Sequence, residues 1–154
     1  MKIALKYGLL ITAVVVGWIL VVRFVMDVGA NSKANVIAPI IFNVAAIVAI
    51  LLGIRARRNE LKGALGFKEG LKTGMKISLV YAISACLFFM IEFLVAGPKL
   101  LLSEAGPQSG SMWQIAAMAY AGLFFGSMIS GLVYSTIISF FIARRLPRES
   151  NTVI

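Results

Sequence analysis

Residues 55–76, "RARRNELKGALGFKEGLKTGMK", separate two long apolar runs and carry seven basic side chains: Arg55, Arg57, Arg58, Lys62, Lys68, Lys72 and Lys76. Gly63 and Gly66 read as a helix stop and a turn. Arg55 to Lys62 continue the helix before them. From Phe67 helical spacing resumes and feeds the next apolar run. The stretch is therefore the basic turn of a helical hairpin whose arms, Val36–Ile54 and Ile77–Gly97, are each long enough to cross a bilayer, which takes about 20 residues of helix. Two further runs, Tyr7–Met26 and Trp113–Ala143, are also long and apolar enough. The last exceeds what the hydrocarbon needs, so it should tilt or begin in the headgroup layer around Trp113.

The connections between these runs alternate in charge. The N-terminus holds Lys2 and Lys6, residues 55–76 hold seven basic residues, and the tail holds Arg144, Arg145 and Arg148. The other side has Arg23, Lys33 and Lys99, which makes twelve basic residues against three. Basic residues are retained on the cytoplasmic side. The expected fold is thus all-α: one integral membrane domain over 1–154, a four-transmembrane-helix bundle of up-down topology with both termini cytoplasmic. A competing reading makes the first run a cleaved signal peptide ending at "VGA", residues 28–30. Its apolar region is longer than the 7–15 residues of a signal peptide, and Arg23 interrupts its end.

Composition agrees with the membrane reading. Of 154 residues, 60% are hydrophobic and 14% charged, against about a quarter charged in soluble domains. The mean hydropathy is +0.96. The net charge of +9 could suggest nucleic acid, but that would put basic residues on a soluble face. Here they punctuate apolar runs, so no nucleic-acid partner is expected. The chain has no histidine, which removes His-ligated zinc and haem and the Ser–His and Cys–His nucleophile pairs. No enzyme, cofactor or metal site is expected. The single cysteine, Cys86, cannot form an internal disulfide.

Lys68, Lys72 and Lys76 recur every four residues and form one stripe. One reading is topology anchoring, with the stems on lipid and the heads at the surface. The other, extended to Arg55, Arg57 and Arg58, is contact with anionic lipid or an acidic partner. On the third helix Gly74, Ser78, Tyr81, Ala85, Glu92 and Ala96 share a small and polar face. The fourth helix has two rows at four-residue spacing: Gly122, Gly126, Ser130, and Ser127, Gly131, Ser135, Ser139. Small residues so spaced let backbones approach closely. The rows serve either internal packing or contact with other subunits, and the spacing does not say which helix fills them.

"RNELKGALGFKEGLKTGMKISLVYAI", residues 58–83, resembles the bacterial membrane family catalogued as domain of unknown function 4199. The likeness is a Gly-Phe-x-x-Gly-x-x-x-Gly lead into the third helix, here Gly66, Phe67, Gly70 and Gly74. The four-span hydropathy layout is similar along nearly the whole chain. The resemblance implies a bacterial inner-membrane protein and brings no catalytic residues with it.

Glu92 stands alone in "CLFFMIEFLVAGPK", residues 86–99. A charged acidic group at mid-membrane costs on the order of 2.5–3.5 kcal/mol on insertion scales, so it should point into the bundle. Matching depths from the outer surface nominates Tyr120, Asn43 and Arg23 as its companions, with Lys99 above it. Such a cluster is either structural glue or a proton- or cation-coupling site. The expected role is a non-enzymatic scaffold or accessory subunit of a larger inner-membrane assembly, in contact with membrane lipids and with other subunits or itself. The alternatives are a small oligomeric transporter or channel coupled through Glu92, and a lipid-interacting envelope protein.

Overall fold

The computed structural model describes residues 1–24, 33–96 and 111–143, with side chains for all of these except 23–24, 33–36 and 96. Four helices account for nearly all of them: α1 (Lys2–Phe24), α2 (Lys33–Glu60), α3 (Phe67–Ala96) and α4 (Met112–Ile142). All four are long and apolar enough to cross a membrane, and the chain is a multi-pass membrane protein. With no water in the hydrocarbon to bind backbone N–H and C=O groups, helices that satisfy them internally are the one open-chain solution.

The hairpin turn forms where Gly63 allows it. Lys62 and Gly63 take φ of 49° and 90°, and the Gly63 N–H caps the Arg58 carbonyl at 2.9 Å. Glycine adopts this left-handed backbone without a Cβ penalty and ends α2. Leu65 drops from the turn into the core, fully buried beside Ile50, Ile54 and Ile77. At the far end α4 starts at Ser111, whose N–H donates to the Gln114 side chain at 3.0 Å.

The α3–α4 pairing is the most extensive in the bundle. Gly70 faces Ser139, Gly74 faces Ser135 and Gly131 faces Ser78. The steps are four residues on each helix and run in opposite directions, which defines an antiparallel seam. A Cβ on Gly70 would come within 2.6 Å of the Ser139 hydroxyl oxygen. The helices therefore lie closer than any side chain at these glycines would permit. α1 runs parallel to α3 and is stitched to it twice: Gly8 nestles against Val80, and the Thr12 and Ser84 hydroxyls bond at 2.5 Å. α1 and α4 make no contact among the described residues, while α2 and α3 touch both of them and each other. Around the bundle the order is α1, α2, α4, α3.

The helices extend beyond the expected spans. Helix α3 begins ten residues before Ile77, because the lysine stripe is helical, and α2 begins at Lys33. Pro39 consequently lies two turns into α2 rather than in its first turn, and the Asn43 side-chain amide donates to its carbonyl at 2.7 Å.

Candidate intramembrane site

Three places hold the polar residues of this bundle. The first is a cleft of about 240 Å³ between α2, α3 and α4. Its polar lining is Asn43, Ser78, Tyr81, Ser127, Ser130 and Tyr134. Tyr134 donates its hydroxyl proton to the Asn43 side-chain carbonyl and so ties α4 to α2. Tyr81 meets the Ser127 side chain across the α3–α4 seam. Ser78 donates to the Gly74 carbonyl at 3.1 Å. Asn43, Ser78, Tyr81, Ser127 and Tyr134 thus each find a partner inside the bundle, whereas the buried Ser135 and Ser139 hydroxyls of the seam make no hydrogen bond among the described residues. Among the described residues, no charged side chain lines the cleft.

The glycines divide around this cleft. Gly70, Gly74 and Gly131 are buried against side chains of the facing helix, whereas a Cβ on Gly122 or Gly126 would meet nothing within 4 Å. Of the two small-residue rows on α4, the one through Gly131, Ser135 and Ser139 is consumed by α3. The row through Gly122, Gly126 and Ser130 lines the open cleft, and at its two glycines no helix packs among the described residues. Ser127 sits between the two, lining the cleft beside Tyr81.

The second place is around Glu92, which is half-buried near the end of α3. Tyr120 on α4 is its electrostatic neighbour, together with Cys86. The matched depths thus bring Glu92 and Tyr120 together, but the buried Tyr120 hydroxyl makes no hydrogen bond among the described residues. Tyr120 is thus a companion of Glu92 by proximity and not through a hydrogen bond. Asn43 as a companion is corrected, since its partner is Tyr134. The seam sets Tyr134 beside the part of α3 near Gly74 and Met75, some 17 residues short of Glu92, or roughly 25 Å along the axis. The Arg23 side chain and Lys99 lie outside the described residues.

The third place is the hairpin end. Arg57 forms ion pairs with Glu60 at 2.8 Å and with Glu69 at 3.9 Å, clipping the end of α2 to the start of α3. Arg55, Lys68, Lys72 and Lys76 are exposed, and Arg58 is partly so. Arg57 is thus spent on the fold. The others remain presented at the surface.

Residues 6–103 match the model of a family described as protein of unknown function, DUF4199. The chain belongs to the DUF4199 family. No curated protein and no solved structure matches it. The matched segment holds α1, α2 and α3 with the hairpin turn, the Thr12–Ser84 stitch and Glu92. Helix α4, with its seam glycine and open row, lies beyond it.

Sequence reasoning named Tyr81 as part of a small-polar face and Ser130 in a small-residue row, but did not single out Tyr134 or Thr12. The signal for Tyr134 was present: a tyrosine in the middle of an apolar helix needs a hydrogen-bond partner, and Asn43 is the one amide among the apolar residues of α2.

Proposed function

We propose that this chain is a non-enzymatic accessory subunit of a bacterial inner-membrane assembly, and that its open cleft accepts an apolar transmembrane helix of another polypeptide carrying its own row of small residues. The observation that supports this is the split among the glycines. Glycine within a helix costs about 1 kcal/mol relative to alanine. At Gly70, Gly74 and Gly131 close packing offsets that cost, and at Gly122 and Gly126 nothing among the described residues does. The cleft continues the packing surface of α4 with the same four-residue spacing, and its uncharged lining suits an apolar helix with an occasional hydroxyl or amide.

A photo-crosslinker at Leu123, on the cleft wall, tests the proposal in native membranes. The expected result is one stoichiometric crosslink to a second membrane polypeptide, lost in the Gly122→Leu/Gly126→Leu variant while that variant still extracts as a folded bundle. Crosslinks to lipid only, or to another copy of this chain, would refute it. The reading of Glu92 as a transport-coupling carboxylate draws less support, because Glu92 does not line the cleft and lies eleven residues, roughly 16 Å, along α3 from Tyr81, the cleft-lining residue nearest to it on that helix. Its own check is whether Glu92→Gln changes ion-dependent flux in liposomes.

A further inference from the structure

We infer that the outward face of α3 holds an anionic phospholipid, with its phosphate at Lys72 and Lys76 and its acyl chains along the apolar residues of the same face. The inference is independent of the cleft. Lys68, Lys72 and Lys76 are all exposed, and Leu79, Ile83, Leu87, Met90 and Leu94 are exposed too. At helical spacing these eight residues form one continuous stripe, on the side of α3 turned away from the Gly70–Gly74–Ser78 seam. The stripe changes from charged to apolar within a single turn, between Lys76 and Leu79. That is the pattern a phospholipid presents in reverse: a compact anionic head above a hydrocarbon tail.

The charges on this stripe are also uncommitted. Both carboxylates at the hairpin end, Glu60 and Glu69, are drawn to Arg57 on α2. None of the three lysines takes part in an ion pair among the described residues. Lys72 and Lys76 stand about 6 Å apart along the helix, a length that fits the headgroup layer of one leaflet, roughly 5–8 Å. Topology anchoring alone requires positive charge near the end of the helix, but it does not require that charge to be aligned with the lipid-facing stripe.

The test uses the full-length protein in detergent micelles doped with equal amounts of phosphatidylglycerol and phosphatidylcholine, read by native mass spectrometry. Each basic residue near an anionic lipid contributes about a factor of five in binding, so the three together set an upper limit on the order of 100-fold. The expected result is a preference for phosphatidylglycerol of at least about tenfold that falls as salt is raised. It should drop to parity in Lys68→Gln/Lys72→Gln/Lys76→Gln, persist in the corresponding triple arginine variant, and persist in Arg55→Gln, which is basic, at the same end and off the stripe. Equal retention of the two lipids by the unaltered protein would overturn the inference, and that arm needs no variant to fold. So would an undiminished preference in the glutamine variant. Displacement by inorganic phosphate at matched ionic strength would assign the stripe to a free anion instead and likewise overturn it.

Discussion

Alanine at Gly74 and alanine at Gly126 should move stability in opposite directions, although both sit within long membrane-spanning helices. At Gly74 the new methyl group would arrive 2.6 Å from the Ser135 Cβ and 3.2 Å from the Ile50 Cγ2. The Ser135 Cβ is fixed to its backbone, so a rotamer change cannot clear the clash. Carbon atoms settle at about 3.5–4.0 Å, and α3 and α4 must therefore part by about 1 Å. Overpacking of this kind costs about 1–3 kcal/mol, and the better helix propensity of alanine returns about 1 kcal/mol. The net expectation is a loss of up to about 2 kcal/mol. At Gly126 the methyl group meets nothing within 4 Å, so only the propensity gain of up to about 1 kcal/mol remains. Equilibrium unfolding of the purified protein in mixed micelles, titrated with a denaturing detergent, measures both variants against the parent. If Gly126→Ala destabilises as much as Gly74→Ala, the cleft is closed in the folded protein and the assignment of the two rows is wrong.

The Tyr134–Asn43 bond is the polar tie between α2 and α4. A double-mutant cycle of Tyr134→Phe and Asn43→Leu should give a coupling of about 0.6 kcal/mol, the average for hydrogen bonds between membrane helices, and no more than about 1.7 kcal/mol; zero coupling would show that the tie does not form. The same cycle for Thr12→Val and Ser84→Ala should show coupling of similar size between α1 and α3, whereas a cycle pairing Thr12→Val with Tyr134→Phe should be additive because α1 and α4 do not touch. Arg57→Gln should cost no more than about 1 kcal/mol, and less in high salt, because both of its ion pairs are exposed; a larger loss on the same detergent titration would mean that the clip supports the hairpin turn.

The sequence made the four spans, the glycine turn and the all-helical architecture legible because each rests on a local rule: run length, helix-stop residues, and the backbone's need for internal hydrogen bonds. The small face of α3 was legible for the same reason, since four-residue spacing places Gly70, Gly74 and Ser78 together whatever they pack against. Which row on α4 they would meet was not. Gly122–Gly126–Ser130 and Gly131–Ser135–Ser139 share one spacing, and only the relative rotation of the helices chooses between them. The Glu92 cluster was half legible. Depth matching found Tyr120 because α3 and α4 form a registered antiparallel pair. It misplaced Asn43 because it assumed that all four helices end flush at the outer surface. Helix α2 instead meets α4 at Tyr134, far from the Glu92 end, and an axial offset between helices leaves no mark on hydropathy.

Cysteine accessibility tests the four-fold threading most directly. In a Cys86→Ser background, Lys62→Cys at the hairpin turn and Ser109→Cys between α3 and α4 would be labelled with a membrane-impermeant maleimide in right-side-out and inverted vesicles. The account predicts opposite labelling: Cys at position 62 reacts from the cytoplasmic side, and Cys at position 109 from the outer side alone. Labelling of both positions from the same side would contradict it, because α3 would then not cross the membrane.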